Sequence, residues 1–205
     1  PNEYVISDRA VVFPDIDVLA ICQSSLHEVW ARLYSSRLET RLKYSIGNAL
    51  ETFAFPDWPR SELQERGMRL HRLRADLMAE DGIGLTKLYN RFHNDTEHDS
   101  HIKGLRALQC EIDIDVARAY GWDDLDLQHG FHEVPYLPEN DCVRFTISET
   151  ARVEVLRRLS ELNRQRYEEE VAQGLHGNTT PRASTRAPRA SRITNAATAQ
   201  PSLDF

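Results

Sequence analysis

Apolar and polar positions alternate with two different periods along this chain, and the change of period sets out its architecture. Tyr4-Val5-Ile6 and Ala10-Val11-Val12-Phe13 are short β-type runs either side of Ser7-Asp8-Arg9, which predicts a tight hairpin. From residue 15 to 34 the period becomes helical. Ile16, Leu19, Ala20, Cys22, Leu26, Val29, Trp30 and Leu33 form a broad stripe, with Asp15 or Asp17 placed to cap its start. Residues 37–44 then alternate charged and apolar groups, the pattern of an exposed strand, and Gly47-Asn48 predicts a turn.

Pro56 and Pro59 flank Asp57-Trp58, and proline is excluded from helix interiors. A boundary is expected here. Beyond it helical spacing dominates: Leu63, Leu70, Leu73, Leu77 and Met78, ended by Asp81-Gly82-Ile83-Gly84. A short helix follows at Leu85, Leu88, Tyr89 and Phe92. Ile102, Leu105, Leu108, Ile112, Val116 and Ala119 then mark a long one, stopped by Gly121. Residues 123–147 read as loop-rich with one strand over 142–147. Ser148 caps a last helix carrying Val153, Leu156, Leu159 and Leu162. From about Gly174 the composition shifts to Thr, Ala, Ser, Pro and Arg, too poor in apolar residues to offset the entropy of ordering. The expected organisation is mixed α/β, mainly α. A small β-containing unit occupies 1–56, a helical region 57–173 and a disordered tail 174–205.

Composition adds exclusions. No apolar run approaches the length of a membrane span. Cys22, Cys110 and Cys142 are odd in number and widely spaced, which fits free thiols in a reducing cytoplasm and neither a zinc framework nor a disulfide scaffold. The net charge is −7, and the tail from 175 carries +3, so the body carries −10. A nucleic-acid contact therefore needs a local basic face, because the field of the whole body opposes it.

Ser24, Ser25, His27 and Trp30 on one helix are followed by Tyr44-Ser45 and by Leu50-Glu51-Thr52-Phe53-Ala54-Phe55-Pro56. Leu88-Tyr89-Asn90 and Ala119-Tyr120-Gly121-Trp122 come later, in the same order and at similar spacing. In that combination the chain resembles the C-terminal part of bacterial DNA adenine methyltransferases with fused recognition domains. Such enzymes occur in single-chain restriction–modification systems and in phage defence of the BREX and DISARM kinds. The resemblance covers residues 1 to about 172. Leu50 and Ala54 depart from the family's aromatic and proline at those positions. The resemblance implies a segment that helps grip duplex DNA beside a catalytic domain, in the same protein or on a separate chain. It implies methyl transfer from S-adenosylmethionine to adenine in the parent enzyme or partner, with the base flipped from the stack.

The chain itself has no Asn/Asp-Pro-Pro-aromatic motif and no glycine-rich cofactor loop. No catalytic, cofactor-binding or metal residue is assigned. A separately encoded accessory subunit that binds DNA or a methyltransferase chain is the alternative.

On that reading the candidate DNA contacts are Ser24, Ser25, Arg32, Arg37, Arg41 and Lys43: cations for phosphates, hydroxyls as donors. Glu28 and Glu39 interleave with them, so ordinary surface pairing is the competing account. A second basic set, Arg60, Arg66, Arg69, His71, Arg72 and Arg74, reads primarily as a solvated helix face. His93 to His101 holds metal-type ligands at spacings that match no compact site, and Asp99 or Ser100 is placed to cap the next helix. His129-Gly130-Phe131-His132 reads as loop. Trp30, Trp58 and Trp122 read as packing residues.

Overall fold

The computed structural model describes residues 18–38, 41–57, 61–135, 137–139 and 142–175. The expected hairpin at 4–13, Trp58, Arg60 and the tail from 176 lie outside the described residues. The described residues are mainly helical, with only four short strands among them, as the periodicity predicts. The order is α1 (Leu19–Gln23), α2 (Ser25–Tyr34), β1 (Ser36–Leu38), β2 (Arg41–Lys43), a π-helical turn (Ile46–Leu50), α3 (Ser61–Glu80), α4 (Leu85–Phe92), α5 (Ser100–Ala119), β3 (Gly130–Glu133), β4 (Val143–Thr146) and α6 (Glu149–Ala172).

Punctuation read from the sequence sits where its chemistry requires. The Asp99 side chain accepts from the backbone N–H groups of His101 and Ile102 at the start of α5. Ser148 accepts from Ala151 at the start of α6. Gly82 and Gly121 take positive φ (60° and 73°) just beyond α3 and α5, a conformation that costs other residues a steric penalty.

Four local expectations need correction. The single helix over 15–34 is broken at Ser24, whose extended backbone (φ −73°, ψ 153°) closes α1 and opens α2. The lone exposed strand over 37–44 is a hairpin, with Ser36 opposite Lys43 and Leu38 opposite Arg41. Gly47 and Asn48 lie inside the π-helical turn, where Glu51 N–H bonds to Ile46 C=O at 3.0 Å. Finally, Gly130–Glu133 is the partner strand of β4 rather than loop, with Phe131 opposite Phe145.

Buried side chains from both sides of residue 57 share one core. Ala20, Ile21, Leu26, Trp30 and Phe53 join Leu63, Leu70, Leu88, Leu105, Ile112, Val155 and Leu159. α1 packs on α3 and α5, and α2 packs on α5 and α6. Crossing the 57–61 link, Asn163 of α6 donates to the Thr52 carbonyl, and Tyr120 donates to the Ala54 carbonyl at 2.8 Å. Trp30 is buried and Trp122 stacks on Tyr120 at 4.5 Å.

Gly67 is what lets α1 lie so close to α3. A Cβ at this position would sit 2.8 Å from the backbone nitrogen of Ala20. Alanine is the better helix former by about 1 kcal/mol, yet the atom it meets is backbone and cannot rotate away. Gly67→Ala is therefore expected to destabilise by about 1–3 kcal/mol in urea titration, the cost of overpacking. A neutral or stabilised variant would show that α1 can slide at no cost.

Candidate nucleic-acid interface

Helix α2 exists as a separate element because Ser24 supplies its cap. The Ser24 hydroxyl accepts from His27 N–H (3.2 Å) and donates to the Ile21 carbonyl (2.7 Å). Both Ser24 and Ser25 are buried. Arg32, in the last turn of α2, pairs with Glu28 at 2.6 Å, one turn earlier on the same face. The hairpin β1–β2 follows directly. In its register Arg37 lies opposite Leu42 and Leu38 opposite Arg41. Leu42 is half-buried and Lys43 exposed.

The hairpin is fastened at its base in two ways. Ser45 N–H donates to the Ser35 hydroxyl at 3.1 Å, closing its base. The Tyr44 hydroxyl lies 2.9 Å from His27 Nε2. His27 is itself buried, its ring edge-on to Phe53 at 4.6 Å, and its Nδ1 has no hydrogen-bond partner among the described residues. Burial pushes the His27 pKa down to about 4 and the Tyr44 pKa up to about 12. His27 is therefore neutral near pH 7, and an unpartnered neutral nitrogen costs less than an unpartnered imidazolium.

Sequence reading overlooks the residues beneath this unit. Asp113, from α5, is wholly buried. Its Oδ1 accepts from Ser25 N–H (2.7 Å) and Gln109 Nε2 (3.1 Å), and its Oδ2 lies 2.9 Å from His129 Nε2. Gln109 also donates to the Gln23 carbonyl at 3.1 Å. Burial alone would lower the His129 pKa, but hydrogen bonds with Asp113 and Cys110 outweigh it and raise the pKa to about 9. The sequence does not single it out, since Asp113 and Asp115 both fall between Ile112 and Val116 and only the first is buried.

Three members of the second basic set, Arg66, Arg69 and Arg74, are engaged by neighbours. Arg66 bridges Glu111 and Asp115 of α5, and Arg74 donates to Gln23 (2.8 Å) and Tyr89 (3.2 Å). The His93–His101 segment wraps round Arg106, and among the described residues no three metal-type ligands converge. No helix of the described residues is long and apolar enough to cross a membrane.

Residues 1–57 match the family model of the MmeI target recognition domain. Over 90 residues the chain is 32% identical to DNA methyltransferase A of Bacillus subtilis (strain 168). That alignment covers 42% of this chain and 9% of the relative's length. No solved structure matches. Sequence likeness and family match agree that the chain begins with a recognition segment of the DNA-methyltransferase kind.

Proposed function

We propose that this chain is the DNA-gripping and bracing end of a site-specific adenine N6 DNA methyltransferase acting in restriction–modification or phage defence in the cytoplasm. Methyl transfer from S-adenosylmethionine belongs to a catalytic domain elsewhere, in the same protein or on a partner chain. The observation that carries the reading is the β1–β2 hairpin: it lies inside the matched segment, turns Lys43 outward and is fastened to the core at its base. A two-stranded ribbon has the width of the DNA major groove. Arg32, Arg37, Arg41 and Lys43 supply the cations of this reading, while Ser24 and Ser25 shape the helix beneath them.

Phosphate contacts release counterions, so affinity must fall steeply with salt. Binding of the chain to a duplex, followed by fluorescence anisotropy across a salt series, tests this. Lys43→Ala is expected to weaken binding several-fold at low salt and to reduce the log–log salt slope by about 1. A duplex affinity independent of salt, or an unchanged slope in Lys43→Ala, would remove the hairpin from the interface. Methyl transfer by this chain alone would contradict the assignment of chemistry to another domain.

A further inference from the structure

We infer that Asp113, although it lies on α5 and outside the matched segment, is a positioning residue for DNA contact: it seats the N-terminus of α2 and thereby aims the hairpin that α2 leads into. The inference rests on the reading of that hairpin as a DNA-contacting element.

Ser25 is the first residue of α2, and its N–H is one of the donors a helix start leaves without an intrahelical acceptor. Ser24 satisfies the N–H of His27. The N–H of Ser25 is satisfied from 88 positions along the chain, by Asp113 Oδ1 at 2.7 Å. A carboxylate at this place also meets the positive end of the helix dipole. The bond is wholly buried, so it is not diluted by solvent. Its carboxylate is held from three directions: Ser25 from α2, Gln109 from one turn back on α5, and His129 from the segment before β3. Gln109 binds the Gln23 carbonyl as well, so the last residue of α1 and the first of α2 are fixed by neighbouring groups on α5.

What Asp113 fixes is orientation. α2 is ten residues long, about 15 Å from end to end. A tilt at Ser25 is therefore carried to Arg32, Ser35 and the hairpin at the far end. The same helix carries His27, whose ring holds Tyr44 at the exit of β2. Loosening the seat of α2 moves both fastenings of the ribbon together. Asp113 itself is buried and contacts no DNA, so its removal lowers affinity without removing a phosphate contact.

Three variants of the full chain separate the possibilities. Ser25→Pro deletes the N–H that Asp113 accepts, together with the hydroxyl. Proline suits the first position of a helix, and the extended backbone of Ser24 suits the residue before proline. Ser25→Ala keeps the N–H and deletes the hydroxyl. Asp113→Asn removes the charge. Duplex binding is measured over a salt series, with thermal melts and hydrogen exchange of residues 25–45. Asp113→Asn and Ser25→Pro should each bind about tenfold more weakly with the wild-type salt slope, and with faster exchange at 41–45. Ser25→Ala should bind within about twofold of wild type. Melting must stay above the assay temperature in at least one of the two weakened variants; if both unfold, the seat is structural and the inference fails. Wild-type affinity in a folded Asp113→Asn or Ser25→Pro overturns it. A loss in Ser25→Ala equal to that in Ser25→Pro also overturns it, by placing the effect in the hydroxyl. A wild-type chain that binds no duplex overturns the hairpin reading first and this inference with it, an outcome recognisable without any variant.

Discussion

Replacing Arg106 by methionine is expected to destabilise the protein by about 3–5 kcal/mol, the range for breaking a buried charged network. That is a large part of the 5–15 kcal/mol typical of a folded domain. Arg106 as a whole is only 7% exposed. It donates to four backbone carbonyls: Phe92 (2.9 Å), Asn94 (2.7 Å), Glu97 (3.1 Å) and Arg91 (3.2 Å). Arg91 and Phe92 form the last turn of α4, whose terminal carbonyls lack intrahelical donors. Asn94 and Glu97 belong to the loop that leads into α5. One side chain thus ends one helix and folds the connection to the next. The rings of Phe131 and Phe145 lie 4.9 Å and 5.6 Å from its central carbon, where a desolvated cation gains from the ring faces. Methionine fills similar volume and leaves all four acceptors without that donor. Lysine keeps the charge, but its compact ammonium lacks the planar fork, so Arg106→Lys should recover less than half of the loss. Urea unfolding measures both. A methionine variant within about 1 kcal/mol of wild type would mean that water replaces the guanidinium freely.

Arg106 and Asp113 also mark the limit of what the sequence discloses. Helices α3 to α6 were readable because each buries a stripe whose period survives without knowledge of the partner, and because Asp99, Ser148, Gly82 and Gly121 are terminal signals that act locally. The break at Ser24 was not readable. The apolar stripe runs through it, and only the side chain's bond back to Ile21 reveals that α1 ends there. β3 was hidden for a related reason: Gly-Phe-His-Glu has little strand pattern of its own and is specified by Phe145 across the ladder. The matched segment was legible from motif order, since Ser24, His27, Trp30 and Tyr44 recur at fixed spacing. Their physical roles came only from distant residues. Ser25 meets Asp113, and Trp30 donates to Thr52 at 3.3 Å. Periodicity locates faces, whereas a buried charge is explained by whatever contacts it, and that contact is far away in sequence.

Buried His27 and partly buried His129 should give the protein a stability maximum near pH 6.5, falling on both sides. His129 has its pKa raised from 6.5 to about 9, so it binds a proton in the folded state that the unfolded chain has released. Its contribution is complete below about pH 6.5 and is lost as pH rises through 9. His27 behaves in the opposite sense. With its pKa lowered from 6.5 to about 4, it stays neutral while the unfolded chain takes up a proton. Its contribution is complete above pH 6.5 and is lost as pH falls towards 4. Each displacement corresponds to about 3 kcal/mol when fully expressed. Urea titrations at pH 5, 6.5 and 9 read both limbs, and pH 5 is still above the range in which most carboxylates protonate. His129→Gln should abolish most of the alkaline fall and His27→Gln most of the acid fall, each leaving the other limb in place. An alkaline fall that persists in His129→Gln would place the titrating group elsewhere. The two limbs act on one object. His129 neutralises the carboxylate that holds the start of α2, and neutral His27 holds Tyr44 at the exit of the hairpin. Departure from neutrality in either direction therefore releases a fastening of the same unit, and protection of the amides at 41–45, after correction for the intrinsic pH dependence of exchange, should fall at both extremes before the core of α5 opens.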